Sequence, residues 1–128
     1  MDNIPLEEVI ARVCHAANRA YCESMGHNSE PPWDEAAEWE RSVEIRGVQL
    51  HLATLKAGEK PGPGTWHEKW MERKRREGWC YGPVEDAVTK RHPHFLPYVD
   101  LPMELRMKNH IFVGIVGGFF EALESFRS

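Results

Sequence analysis

From Leu6 onward the apolar side chains fall at Leu6, Val9, Ile10, Val13, Ala17, Ala20 and Tyr21. These three- and four-residue steps make one stripe of an amphipathic helix. Pro5 suits a first helical turn and Gly26 a stop, so the first helix is expected over residues 5–25. His27 to Pro32, with Asn28, Ser29, Pro31 and Pro32, is rich in turn formers and forces the chain to restart. A second helix is expected from about Asp34 to Lys56, with Ala36, Trp39, Val43, Gly47 and Leu50 on one face and Val48, Leu52 and Leu55 beside it. Gly47 is its weak point, because a mid-helix Gly costs about 1 kcal/mol relative to Ala; close packing of a neighbour is the simplest reason for it.

The pattern breaks at Gly58-Glu59-Lys60-Pro61-Gly62-Pro63-Gly64, which reads as a linker, since Pro lacks an amide donor and Gly loses most entropy on ordering. Thr65 and Glu68 have the spacing of a capping box, so a third helix is expected over 66–77, closed by Gly78. The Gly-, Pro- and aromatic-rich stretch from Trp79 to Tyr98 predicts short extended pieces at Trp79–Tyr81 and Phe95–Tyr98, a small hairpin, around a helical turn at Val84–Lys90. Pro97 would confine its piece to an edge. After Leu101-Pro102 a last helix runs to about Phe126, with Pro102 in its first turn. The chain thus divides into a helical pair (1–57), a Gly/Pro linker (58–64) and a segment 65–128, expected to form one compact domain together.

At 128 residues the chain has the size of one ordinary domain, and 41% hydrophobic with 28% charged residues is ordinary globular composition. The net charge of −4 opposes non-specific binding to DNA. Cys14 and Cys22, about 12 Å apart along a helix, are too distant to bridge; with Cys80 they read as reduced thiols of a cytoplasmic protein. The start Met1-Asp2-Asn3-Ile4-Pro5 shows no secretory signal. The longest apolar run, Ile111 to Leu123, is shorter than the ~20 residues a membrane span needs.

His67-Glu68-Lys69-Trp70, Lys74, Gly78-Trp79-Cys80-Tyr81-Gly82, Asp86, Lys90, His92-Pro93, Leu96, Tyr98, Leu101-Pro102, Arg106 and Asn109 follow one another in the order and spacing of a known module. The sequence resembles the Ry repeat, first known from ryanodine receptors, from about Trp66 to Asn109. Pairs of such repeats lie on the cytoplasmic face of those receptors, and single copies occur in bacterial and phage proteins of about this size. This chain is similar to the solitary kind, whose repeat follows two helices. The resemblance implies a mainly α fold of four helices with a small two-stranded β element. The apolar stretch after Asn109, with Phe112, Gly114, Gly117, Gly118, Phe119 and Phe120, is not covered by it.

The chemistry concentrated in the repeat is aromatic and basic. Trp66, Trp70, Trp79, Tyr81 and Tyr98 supply rings on which a planar group stacks for ~1–3 kcal/mol, and Lys74, Lys90 or the run Arg73-Lys74-Arg75-Arg76 supplies cations for a phosphate. His67, His92 and Asn109 add hydrogen-bonding groups. Trp79 is read first as core, Trp66 as rim or surface as readily as core, and the basic run as a solvated helix face. Asp86 and Lys90 suit an i,i+4 ion pair, and His92-Pro93 a turn. No spacing for a metal, a nucleophile elbow or a phosphate loop is present, so neither a metal nor another cofactor nor catalysis is expected. Two functions stay open. One is a non-enzymatic binding module for a nucleotide-like small molecule, which in a phage protein would mean sequestering a host immune signal. The other is a protein-interaction or scaffold module. The apolar circumference of the last helix, Ile111 to Phe126, favours a homo-oligomer.

Overall fold

The computed structural model describes residues 3–27 and 30–127, so Asn28 and Ser29 of the expected turn lie outside the described residues. In chain order the elements are α1 (Leu6–Ser24), a 3-10 turn (Trp33–Glu35), α2 (Glu38–Lys56), α3 (Pro63–Arg76), β1 (Cys80–Tyr81), β2 (Arg91–His92), a 3-10 turn (Tyr98–Asp100) and α4 (Met103–Arg127). The fold is mainly α, with four helices and a two-stranded sheet, as the sequence implies.

Two compact units form, Met1–Lys60 with Ile111–Ser128, and Pro61–His110. The sequence-based grouping of 65–128 differs from this division at Ile111, beyond which α4 belongs with α1 and α2. There Phe112, Ile115, Phe119 and Phe120 pack on a core of Ile10, Ala11, Cys14, Val48, Leu52 and Val116. Gly47 faces this packing, and a Cβ placed on it would meet the Phe112 ring at 3.8 Å, an ordinary contact.

The helical periods are as expected, but the buried faces are turned. In α1 the buried residues are Ile10, Ala11, Cys14, His15 and Cys22, whereas Leu6 and Val13 of the expected stripe are exposed. In α2 Val48, His51 and Leu52 are buried while Trp39 and Val43 lie outside. Reading only hydrophobic residues misplaces both stripes, because histidines and cysteines take part in burial. The second helix also starts later than expected, at Glu38. The Arg41 guanidinium donates to the carbonyls of Trp33, Asp34 and Ala36, which holds the preceding turn as a separate 3-10 element.

The second unit begins earlier than expected. Pro63 opens α3, with Gly62 extended before it, so the end of the expected linker is helical and Thr65 is not the cap. A first-turn Pro gives up an N–H that has no partner in a helix anyway. Gly64, inside that turn, admits the Tyr98 ring; an added Cβ would lie 3.2 Å from Tyr98 Cδ1.

At its other end α3 closes on Gly78, whose φ of +94° a side chain would resist. Gly78 N–H donates to Arg75 O at 3.0 Å and Trp79 N–H to Lys74 O at 2.9 Å. This Schellman closure brings the residue after Gly78 onto the last turn of the helix.

The expected hairpin is not what forms. β1 and β2 run parallel, with Cys80 opposite Arg91 and Tyr81 opposite His92, and the second strand lies earlier than Phe95–Tyr98. Cys80 N–H donates to Lys90 O at 3.0 Å and Gly82 N–H to His92 O at 3.3 Å. The chain can return parallel over so short a distance because Asp86 pairs antiparallel with Arg91, each N–H donating to the other's carbonyl at 2.9 and 3.0 Å. The helical turn expected at Val84–Lys90 is replaced by this tight loop.

Candidate functional site

Within the second unit, α3 and the segment from Arg91 to Tyr98 bring most of the candidate rings together. His67 stacks on Trp70 with centroids 5.6 Å apart, and Tyr98 lies 6.1 Å from His67. Trp70 meets His92 edge-on at 5.1 Å and Phe95 at 5.4 Å, and His92 also contacts Trp79 at 6.1 Å. His67 is buried, and its Nε2 lies 2.8 Å from Leu96 O; because a carbonyl only accepts, the proton sits on Nε2. This cluster is therefore the interior of the unit, with histidines in places where larger aromatics or aliphatics are common.

His92 and His94 meet at 4.6 Å in a T-shape. His94 N–H donates to His92 Nδ1 at 3.0 Å, which leaves His92 protonated at Nε2, facing Glu85 Oε1 at 3.6 Å. Burial lowers the His92 pKa, with Lys74 and His67 acting in the same direction. Charging His92 would also put a proton where Nδ1 now accepts, so the hydrogen bond argues for the same direction; the largely exposed Glu85 is too screened to reverse it. His94 goes further, down to about 4, through burial first and then the neighbouring His92 and Lys108. Both rings are neutral at pH 7.

Trp79, read first as core, is the less buried of the pair Trp66 and Trp79. Trp66 is buried at 8% exposure with the Arg73 guanidinium 5.3 Å from its ring, while Trp79 is half-exposed. Lys74 Nζ stands 5.4 Å over the Trp79 ring, the side-chain contact that completes the closure of α3 at Gly78. A helix-closing contact explains this cation–ring pair without a ligand.

Lys90 is also committed: its backbone turns at φ +57° and its Nζ donates to Glu77 O at 2.6 Å. Asp86 forms no helical ion pair with it. Asp86 Oδ1 accepts from Val88 N–H at 2.9 Å and Thr89 N–H at 3.3 Å, which holds its carboxyl below the usual range and fixes the loop. Tyr98 Oη is buried without a hydrogen-bond partner among the described residues, and Asn109 is half-buried on α4.

Open surface lies beside the sheet. A concavity of about 520 Å³ is lined by Tyr81, Gly82, Pro83, Val84, Glu85, Asp86, Thr89 and Arg91. Tyr81 is 49% exposed, and the Arg91 guanidinium, donating to Tyr81 O at 3.3 Å, lies beside it. Gly82 is obligatory here, because a Cβ would fall 2.6 Å from Arg91 Cβ. Of the ten candidates from sequence, Tyr81 alone lines this concavity. Arg91 is passed over by sequence reading, since between Lys90 and His92 it looks like one more solvated cation; the parallel pairing that aims it is not legible as a motif.

The model of the RyR domain family matches residues 33–113. The chain belongs to the RyR domain family. The RyR match begins at Trp33 and takes in α2, well before the residues from Trp66 that carry the sequence resemblance, and it stops before Gly114, Gly117 and Gly118. None of the curated proteins matches the chain. Among the described residues of this RyR protein, no helix is long and apolar enough to cross a membrane, and no three His, Cys, Asp or Glu side chains group as metal ligands.

Proposed function

We propose that the unit Pro61–His110 is a non-enzymatic binding module for a nucleotide or nucleotide-derived small molecule, docked in the Tyr81–Arg91 concavity. The observation that carries this reading is an exposed aromatic ring beside a guanidinium in a concavity of about 520 Å³, within the size range of small-molecule sites. Tyr81 would stack a base and Arg91 would meet a phosphate. Charge supports it too. The unit holds nine Lys and Arg against seven Asp and Glu, a net +2, while the rest of the chain holds seven against thirteen, a net −6. An anionic ligand is therefore favoured locally in a protein that is acidic as a whole. In a cytoplasmic phage protein such a binder would act by withdrawing a host immune signal from solution.

A second reading has its own observation. Val84 and Val88, 73% and 93% exposed, stand on the loop that Asp86 fixes, as a protein-interaction module would present them. Exposed Phe126 on α4 likewise supports association of copies through that helix, which native mass spectrometry would count.

Thermal denaturation with mono-, di- and cyclic nucleotides separates the two functions. At about one hundred times its Kd a true ligand adds ~2.7 kcal/mol of stability, and Tyr81→Ala should abolish that shift without moving the ligand-free midpoint. No shift with any nucleotide, together with a protein partner released by Val88→Asp, would support the interaction module instead.

A further inference from the structure

His15, in the other unit, has acceptors on both sides of its ring. Nε2 lies 2.7 Å from Pro31 O and Nδ1 lies 3.2 Å from Glu44 Oε1. The carbonyl can only accept, so Nε2 must carry a proton. A neutral imidazole then presents a bare lone pair at Nδ1, and a carboxylate facing that lone pair repels it. The contact is attractive only when one further proton lies between Nδ1 and Oε1, on either atom. We propose that His15 and Glu44 share that proton and act as a pH-sensitive latch between α1 and α2.

The surroundings are built for a retained proton. The His15 side chain is only 7% exposed, and its ring meets Trp33 edge-on at 5.6 Å. The charged groups facing the pair are acidic on two elements: Glu30 next to Pro31, and Glu40 on α2. On α1, Cys14 is a neutral thiol, pushed up to about 12 by burial and by Glu44. The cations of α1 are engaged elsewhere, Arg12 with Glu8 and Arg19 with Glu30 O. Burial opposes charge on His15, but the Pro31 carbonyl, Glu44 and Glu30 outweigh it and its pKa is raised. For Glu44, attraction to His15 pulls down, yet burial, with Glu30 and Glu40 adding to it, raises the pKa. Both partners thus move towards holding the proton, and the pair titrates as a unit.

The folded chain holds this proton more tightly than the unfolded chain. The His15 contribution is therefore complete below about pH 6.5, its unfolded value, and is lost as pH rises through the raised folded value. Nε2–H keeps Pro31 at high pH, so only the link to α2 opens, and Glu44, whose side chain is 38% exposed, has room to turn to water.

Glu44→Gln tests the latch directly, because its amide N–H donates to Nδ1 at every pH. The expected result is a variant whose melting midpoint gains a few degrees on the wild type between pH 6 and 9; a difference that does not change with pH overturns the proposal. A second readout needs no variant. In the labelled wild-type chain the His15 ring and the Glu44 carboxyl carbon should shift in one common step with its midpoint above 6.5. A His15 midpoint at or below 6.5, or a Glu44 carbon that does not respond in that step, overturns it.

Discussion

The two units bury histidine in opposite ways. In the unit built on α1 and α2, the buried ring of His15 is gripped by two acceptors, and the site draws a proton in. In the unit Pro61–His110, the interior is aromatic, and His92 lies against His94, Trp70 and Trp79, with an N–H donated to its Nδ1. That site keeps protons out. The same side chain is pushed in opposite directions, towards the proton at His15 and away from it at His92 and His94, because the neighbours of its nitrogens differ, a distinction that burial alone does not make.

Packing separates the two units most strongly. Ile10 is fully buried in the aliphatic core, and Ile10→Ala should cost about 2–5 kcal/mol in chemical denaturation. A loss below 1 kcal/mol would mean that this core is not the close-packed body it looks.

Acid sharpens the contrast. His92 and His94 hold protons less tightly folded than unfolded, so their stabilisation is complete above about pH 6.5 and is lost as pH falls towards 4. Hydrogen exchange between pH 7 and 4.5 should therefore show amides of α3 losing protection, while the amides around His15 keep theirs. Equal loss in both places would erase the distinction.

The smallest effect concerns Gly47, where a Cβ finds ordinary contact with Phe112 and the helix would gain propensity. Gly47→Ala should stabilise by about 0.5–1 kcal/mol in thermal melts; destabilisation would show that the glycine is needed for close approach.

Helix number, the stop at Gly78 and family membership were legible because they rest on period, turn chemistry and fixed spacings. The buried faces of α1 and α2 were not, since His15, His51, Cys14 and Cys22 share in burial and no hydrophobic count selects them. The partial exposure of Trp79 escaped for a related reason: position in a motif does not say which ring the helix turns inward and which one its closure leaves half-exposed. The candidate site moved furthest. His67, Trp70, Lys74, Lys90 and His92 are spent on internal contacts, and the open surface depends on a parallel strand pair that a hairpin-shaped sequence conceals. The proton shared by His15 and Glu44 joins residues 29 positions apart, beyond any local pattern.

The central functional claim is that binding belongs to the positively charged unit and its Tyr81–Arg91 concavity. Backbone amide NMR of the full chain, titrated with the nucleotide that raises the melting midpoint most, tests it most directly. Saturable shifts are expected at Tyr81, Gly82, Thr89 and Arg91, with little change at α1 and α2. Shifts centred on α1 and α2, or none at saturating nucleotide, would contradict it.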